Sequence, residues 1–171
     1  MSAVQRFLAK LKLIKPPTEH DVLFSGIDYT GKTTLLYRLF LGEVVTTIST
    51  LGSNVEALKI PVSRGQTLNM VAWDLGMGCG GLRYLGMMTR FHLHTKDAIV
   101  FVIDASDKER LGESKEWLQM LLLDLQAAER DRGLKRGIPI LLWVIRSCEG
   151  KVKAHSSIAL PTNATIQIAS H

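Results

Sequence analysis

The chain has 171 residues, 46% hydrophobic and 22% charged, a balance that suits a single globular domain with its own core and excludes a disordered or fibrous polypeptide. No apolar run approaches the ~20 residues of a spanning helix, and the N-terminus shows no apolar h-region with a small-residue cleavage site. The formal net charge of +5 suits acidic partners, such as nucleotide phosphates or anionic lipid, and is too diffuse to argue for nucleic acid.

From the N-terminus, residues 3–15 follow the helical period in Val4, Phe7, Leu8, Leu11 and Ile14, with Arg6, Lys10, Lys12 and Lys15 on the remainder. Pro16-Pro17 ends this amphipathic helix, so residues 1–17 form a helix and linker ahead of a domain over 18–171. Such a helix either lies on a membrane surface or packs in a groove of its own domain. Residue 2 is Ser, which excludes N-myristoylation of the chain as written.

The apolar stretch Val22-Leu23-Phe24 then leads into Gly26-Ile27-Asp28-Tyr29-Thr30-Gly31-Lys32-Thr33, which fits the phosphate-loop pattern G-x-x-x-x-G-K-[ST], and a helical stretch from Thr34 to Leu41 follows. The glycines let backbone N–H groups turn towards phosphate oxygens, and the helix N-terminus adds partial positive charge. In that pattern Lys32 reaches the β- and γ-phosphates and the Thr33 hydroxyl binds Mg²⁺.

Two strands, Asn54–Pro61 and Thr67–Asp74, come next as a hairpin around Ser63-Arg64-Gly65-Gln66. The continuous apolar run from Ala98 to Ile103, ending at Asp104, reads as a central parallel strand. Leu111, Leu118, Leu121, Leu122 and Leu125 mark one face of a long helix, and Ile138 to Ile145 is a second buried strand. Alternating strands and helices predict an α/β fold of the P-loop nucleotide-binding kind, a mostly parallel sheet covered on both faces. Its ligand belongs at the carboxyl ends of the strands, where Gly26, Asp74, Asp104 and Arg146 fall. Residues 146–171 show no amphipathic helix and one short strand, Thr165–Ile168, which leaves the C-terminal part of the fold incomplete and one sheet face exposed. Cys79 and Cys148 have no metal spacing and read as isolated thiols in a reducing compartment. Asn163-Ala-Thr165 matches a glycosylation sequon that a cytoplasmic chain does not use.

Four segments, in order, resemble the Arf and Arf-like branch of the Ras-superfamily small GTPases. The phosphate loop through Thr34 resembles G-[LI]-D-x-[AS]-G-K-T-T; Leu41 to Glu56 resembles the first switch and the strand after it; Trp73-Asp74-Leu75-Gly76 matches the W-D-x-G of the second switch; and Phe101 to Leu111 matches the F-V-[VI]-D-[AS]-x-D-[RK]-E-R that opens the third helix. The resemblance covers residues 1–145 and implies a GTP/GDP switch in membrane traffic with Mg²⁺ as cofactor. Asp28 to Thr34 would wrap the phosphates, and Thr33 and Thr50 would be the metal's protein ligands, Thr50 arriving only when a γ-phosphate holds the first switch. Asp74 would orient the metal's waters, the Gly76 N–H would sense the γ-phosphate, and Gly52 would be a hinge. A monomeric, cytoplasmic protein, peripheral on internal membranes, follows from the same likeness, with no catalytic side chain of its own and its exchange factor and effectors unspecified.

The departures are specific. The family's Gly-Gln after W-D-x-G is replaced by Met77-Gly78-Cys79-Gly80-Gly81, so hydrolysis is expected to be weak. N-K-x-D is replaced by Arg146-Ser147-Cys148-Glu149, where only Glu149 keeps a carboxylate for guanine. Ser53 stands where the branch usually has phenylalanine, on the surface that meets partners. These changes leave two readings open, a guanine-nucleotide switch with impaired hydrolysis and a pseudo-GTPase or truncated interaction module that no longer cycles. A P-loop kinase fits poorly, because its chemistry needs neither Thr50 nor W-D-x-G.

Overall fold

A computed structural model of the chain describes residues 19–43, 47, 50, 52–63, 66–76, 81–131, 138–145 and 166–170. The basic N-terminal helix, the turn residues Arg64 and Gly65, both cysteines, the segment from Arg146 to Glu149 and the sequon at Asn163 lie outside the described residues.

Six strands form one sheet in the order β2-β3-β1-β4-β5-β6. They are β1 (His20–Ser25), β2 (Ser53–Ser63), β3 (Gln66–Leu75), β4 (Ala98–Asp104), β5 (Ile140–Ile145) and β6 (Ile166–Ser170). Only β2 runs antiparallel, as the first arm of the hairpin with β3; the other neighbours pair in parallel. The helices are α1 (Lys32–Leu41), α2 (Gly81–His92) and α3 (Leu111–Asp131), and a 3-10 turn at Leu93–Thr95 follows α2.

Strand alternation divides the core in two. Val22 and Phe24 of β1, Val100 and Val102 of β4, and Leu141 and Trp143 of β5 share a cluster with Leu35 and Leu36 of α1. Leu23, Ile99, Phe101, Ile140 and Leu142 point the other way, into a cluster with Leu85 of α2 and Trp117, Leu118 and Leu121 of α3. Central strands buried on both faces have no polar side to show, which is why β1, β4 and β5 read as continuous apolar runs.

The structure adds to these expectations and adjusts some of them. The segment after Gly76 holds a helix, α2, that the glycines around it conceal; its Leu85 is fully buried and Met88 packs against the same cluster. The helix face of α3 excludes Leu111, which is 38% exposed, and takes in Trp117, which is fully buried and donates from Nε1 to Ser25 Oγ at 3.0 Å. The short tail strand expected at Thr165–Ile168 lies at Ile166–Ser170, pairing with β5 over Ile140↔Ile166 to Val144↔Ser170. On the sheet face expected to be bare, Leu141 and Trp143 of β5 are no more than 5% exposed.

Candidate functional site

The loop between β1 and α1 is shaped by two glycines at positive φ. Gly26 has φ +136°, and a β-carbon there would overlap the Val102 carbonyl of β4. Gly31 has φ +80° and caps α1, with Leu35 N–H closing the first turn on its carbonyl at 2.8 Å. Thr30 is buried and turns its hydroxyl to the Ile27 carbonyl at 2.9 Å, so it braces the loop from behind. Lys32 donates to the same carbonyl at 2.8 Å. Burial pushes the Lys32 ammonium below its ordinary pKa; Asp74 and Asp28 pull it back up, and Arg110 pushes it further down. A buried cation so placed is ready for phosphate oxygens.

Strand β3 brings Asp74 to the mouth of this loop, fully buried. Its Oδ2 accepts the Thr33 hydroxyl at 2.5 Å and the Thr50 hydroxyl at 2.9 Å, and those two hydroxyl oxygens lie 3.0 Å apart. Oδ1 of Asp74 has no hydrogen-bond partner among the described residues. With both hydroxyl hydrogens directed at Asp74, the lone pairs of Thr33 and Thr50 turn outward beside an unsatisfied carboxylate oxygen. This all-oxygen set fits Mg²⁺, a hard ion that takes few protein ligands and completes its shell with water and phosphate. Thr33 and Thr50 would hold the ion and Asp74 its waters.

Thr34, next in α1, shares a 2.9 Å hydrogen bond with Thr47, a pocket residue that sequence reasoning missed. Gly76 packs so closely on the Thr50 carbonyl that a β-carbon would overlap it, and its N–H donates to the Gly52 carbonyl at 2.8 Å, one step beyond the β2–β3 pairing at Ser53↔Leu75. Together these residues enclose a cavity of about 460 Å³, lined among others by Asp28, Lys32, Thr33, Thr47, Thr50 and Gly76. Asp104 does not line it; its Oδ1 accepts from the N–H and hydroxyl of Ser106 instead.

A second missed residue is Arg110, at the entry to α3. Its Nε and Nη2 reach Asp107 Oδ2 at 2.6 and 2.5 Å, and its Nη1 donates to the Asp28 carbonyl at 3.0 Å. The i,i+3 spacing of Asp107 and Arg110 was the available signal; that the pair props the phosphate loop depends on β4 lying beside β1.

A parallel sheet with a glycine-shaped phosphate loop after its central strand, a buried lysine and a hydroxyl–carboxylate metal set defines a P-loop nucleotide-binding protein. The model of the ADP-ribosylation factor family matches residues 4–131, and the chain belongs to that family. It is 38% identical over 111 residues to ADP-ribosylation factor J of Dictyostelium discoideum; the match takes in 65% of this chain and 54% of that protein, so the chain spans about half the length of this curated relative. A chain from a structure of the mammalian SRP receptor has the same fold, with a TM-score of 0.63 at 18% identity, covering 88% of this chain and 91% of that chain.

Proposed function

We propose that the chain binds guanine nucleotide with Mg²⁺ and works as a slow-hydrolysing switch in membrane traffic, its basic N-terminal segment meeting a membrane surface. The observation that carries the reading is the convergence of Thr33, Thr50 and Asp74 beside the buried Lys32. Thr50 comes from the segment between α1 and β2, so contact between it and the metal would couple that segment to the phosphates. When bound, Mg²⁺ neutralises charge on the terminal phosphates. Lys32 holds those phosphates and Asp74 fixes the two hydroxyls. The sequence holds no glutamine between Gln66 and Gln119 to orient a water, and this motivates the slow hydrolysis.

One observation favours a second reading, a module of the same family that does not cycle. The Gly76 N–H, which would sense a γ-phosphate, already donates to Gly52. A switch must break that bond on taking up GTP.

Thermal unfolding of the purified chain with Mg²⁺ and GDP, a non-hydrolysable GTP analogue or the adenine equivalents tests both. A ligand at a hundredfold over its Kd adds about 2.7 kcal/mol, or roughly 5–10 °C for a domain of this size. The switch reading predicts stabilisation by both guanine nucleotides. Stabilisation by GDP alone favours the non-cycling module, and a cooperative melt unmoved by any nucleotide rejects the nucleotide reading.

A further inference from the structure

The phosphate loop carries one side chain that phosphate chemistry does not use. Tyr29 has φ +63°, the only non-glycine residue at positive φ among the described residues, in a region that is costly for a bulky side chain. Its ring is 76% exposed and yet borders the cavity. A strained backbone and an aromatic ring left in water are both unfavourable in the chain alone, and a ligand against the ring would offset them.

The direction from which such a ligand comes follows from the sheet. The order β3-β1-β4 sets the loop after β1 between two flanks. On the β3 flank stand Asp74 and Gly76, with Thr50 against them; on the β4 flank stands Arg110, bonded to the Asp28 carbonyl. Tyr29 lines the same cavity as Lys32, Thr33 and Thr50, so a nucleotide whose terminal phosphates occupied those groups would have the Tyr29 side of the cavity open to its sugar and base. Arg110, fixed by Asp107, has its guanidinium carbon 6.0 Å from the Tyr29 ring centroid, at the outer limit of a cation–π contact, and steadies the loop beneath the ring.

We propose that Tyr29 is a stacking platform for the nucleoside half of the bound nucleotide. The proposal rests on the nucleotide reading above and adds a binding contact to it. Stacking on an aromatic ring is tolerant of base identity, because every base has a π-face. Tyr29 therefore strengthens retention without choosing guanine.

Isothermal calorimetry on the full chain, Tyr29→Ala and Tyr29→Phe, with Mg²⁺ and GDP, ADP or pyrophosphate, tests this. Alanine keeps the β-carbon and so the backbone penalty, and the exposed site leaves folding undisturbed. Tyr29→Ala is expected to weaken each nucleotide that binds by about tenfold and to leave pyrophosphate unchanged, while Tyr29→Phe behaves as the parent. Unchanged nucleotide affinity in Tyr29→Ala overturns the proposal and leaves the nucleotide reading standing. Equal weakening of pyrophosphate also overturns it, since the effect would then lie in the loop rather than in stacking. A parent chain that binds pyrophosphate and neither nucleotide removes the platform and keeps the phosphate cradle; one that binds none of the three ligands removes both readings.

Discussion

Gly76 shows how one missing methyl group holds two functional segments together. Its Cα lies against the Thr50 carbonyl, and its N–H reaches Gly52, so the backbone of the first switch region rests directly on the end of β3. Gly76→Ala would push Thr50 outward and break its hydrogen bond to Asp74. A hydrogen bond to a carboxylate is worth about 1.5–3 kcal/mol, so the variant should lose on the order of 1–3 kcal/mol of stability. The sharper expectation concerns the metal. In the parent, a non-hydrolysable GTP analogue should raise the melting temperature more with Mg²⁺ than with a chelator; in Gly76→Ala that difference should shrink, since Thr33 keeps its place beside Asp74, while the Lys32-dependent, metal-independent part remains. An undiminished Mg²⁺ increment would show that Thr50 does not act at the metal. The residues of this site were legible in the sequence to different degrees. Gly26, Gly31, Lys32 and Thr33 lie in one local motif, and local motifs are readable. Thr50 and Asp74 needed the family resemblance, and Thr47 and Arg110 needed the fold, because nothing in their own neighbourhoods points at the phosphate loop.

Among the elements, the strands were readable and α2 was not, for a physical reason. Doubly buried strands announce themselves as apolar runs, whereas α2 begins at Gly81 and carries Gly86 inside it, residues that cost helix propensity. Packing does not demand the glycine at 86, since a β-carbon there would meet the Trp117 ring at 3.7 Å, an ordinary van der Waals contact. The end of α2 then builds a polar layer on Trp73. The His92 ring lies 4.6 Å from the Trp73 ring, and the buried Lys96 Nζ lies 3.5 Å from the indole centroid and 3.6 Å from Asp21 Oδ1. Trp73 Nε1 donates to Asp21 Oδ1 at 2.9 Å. Burial, then the charge of Lys96, then His94, pushes His92 below the ordinary imidazole pKa of 6.5. The unfolded chain therefore binds more protons than the folded one from 6.5 downward to the depressed folded value, and stability must fall as pH falls through that window. Urea unfolding from pH 7.5 to 5 should show this loss, and His92→Gln should flatten the part due to His92. A His92→Gln slope as steep as the parent's would assign the acid sensitivity elsewhere.

At the scale of the whole molecule, the sheet has one hairpin edge and one edge made by a distant segment. Strand β2 is held by the tight β2–β3 pairing from Ser53↔Leu75 to Ser63↔Gln66, so its edge forms with little loop entropy. Strand β6 closes the other side across the chain from Ile145 to Ile166, and its pairing costs more loop closure. What it covers is the β5 backbone beside Ile140, Leu141, Leu142 and Trp143, all buried. Removing residues 166–171 would leave β5 as an exposed apolar edge with unpaired N–H and C=O groups, the condition that invites strand addition from a second chain. The truncated protein is therefore expected to unfold at lower denaturant and to elute as dimers or larger species at micromolar concentration, whereas the parent stays smaller. The phosphate loop lies two strands away after β1, so nucleotide should still stabilise whatever fraction remains monomeric. A truncated chain that is monomeric and as stable as the parent would mean that β5 needs no partner. The sixth strand would then contribute nothing to the fold, and the tail after Ile145 would have to be explained by something other than closure of the sheet.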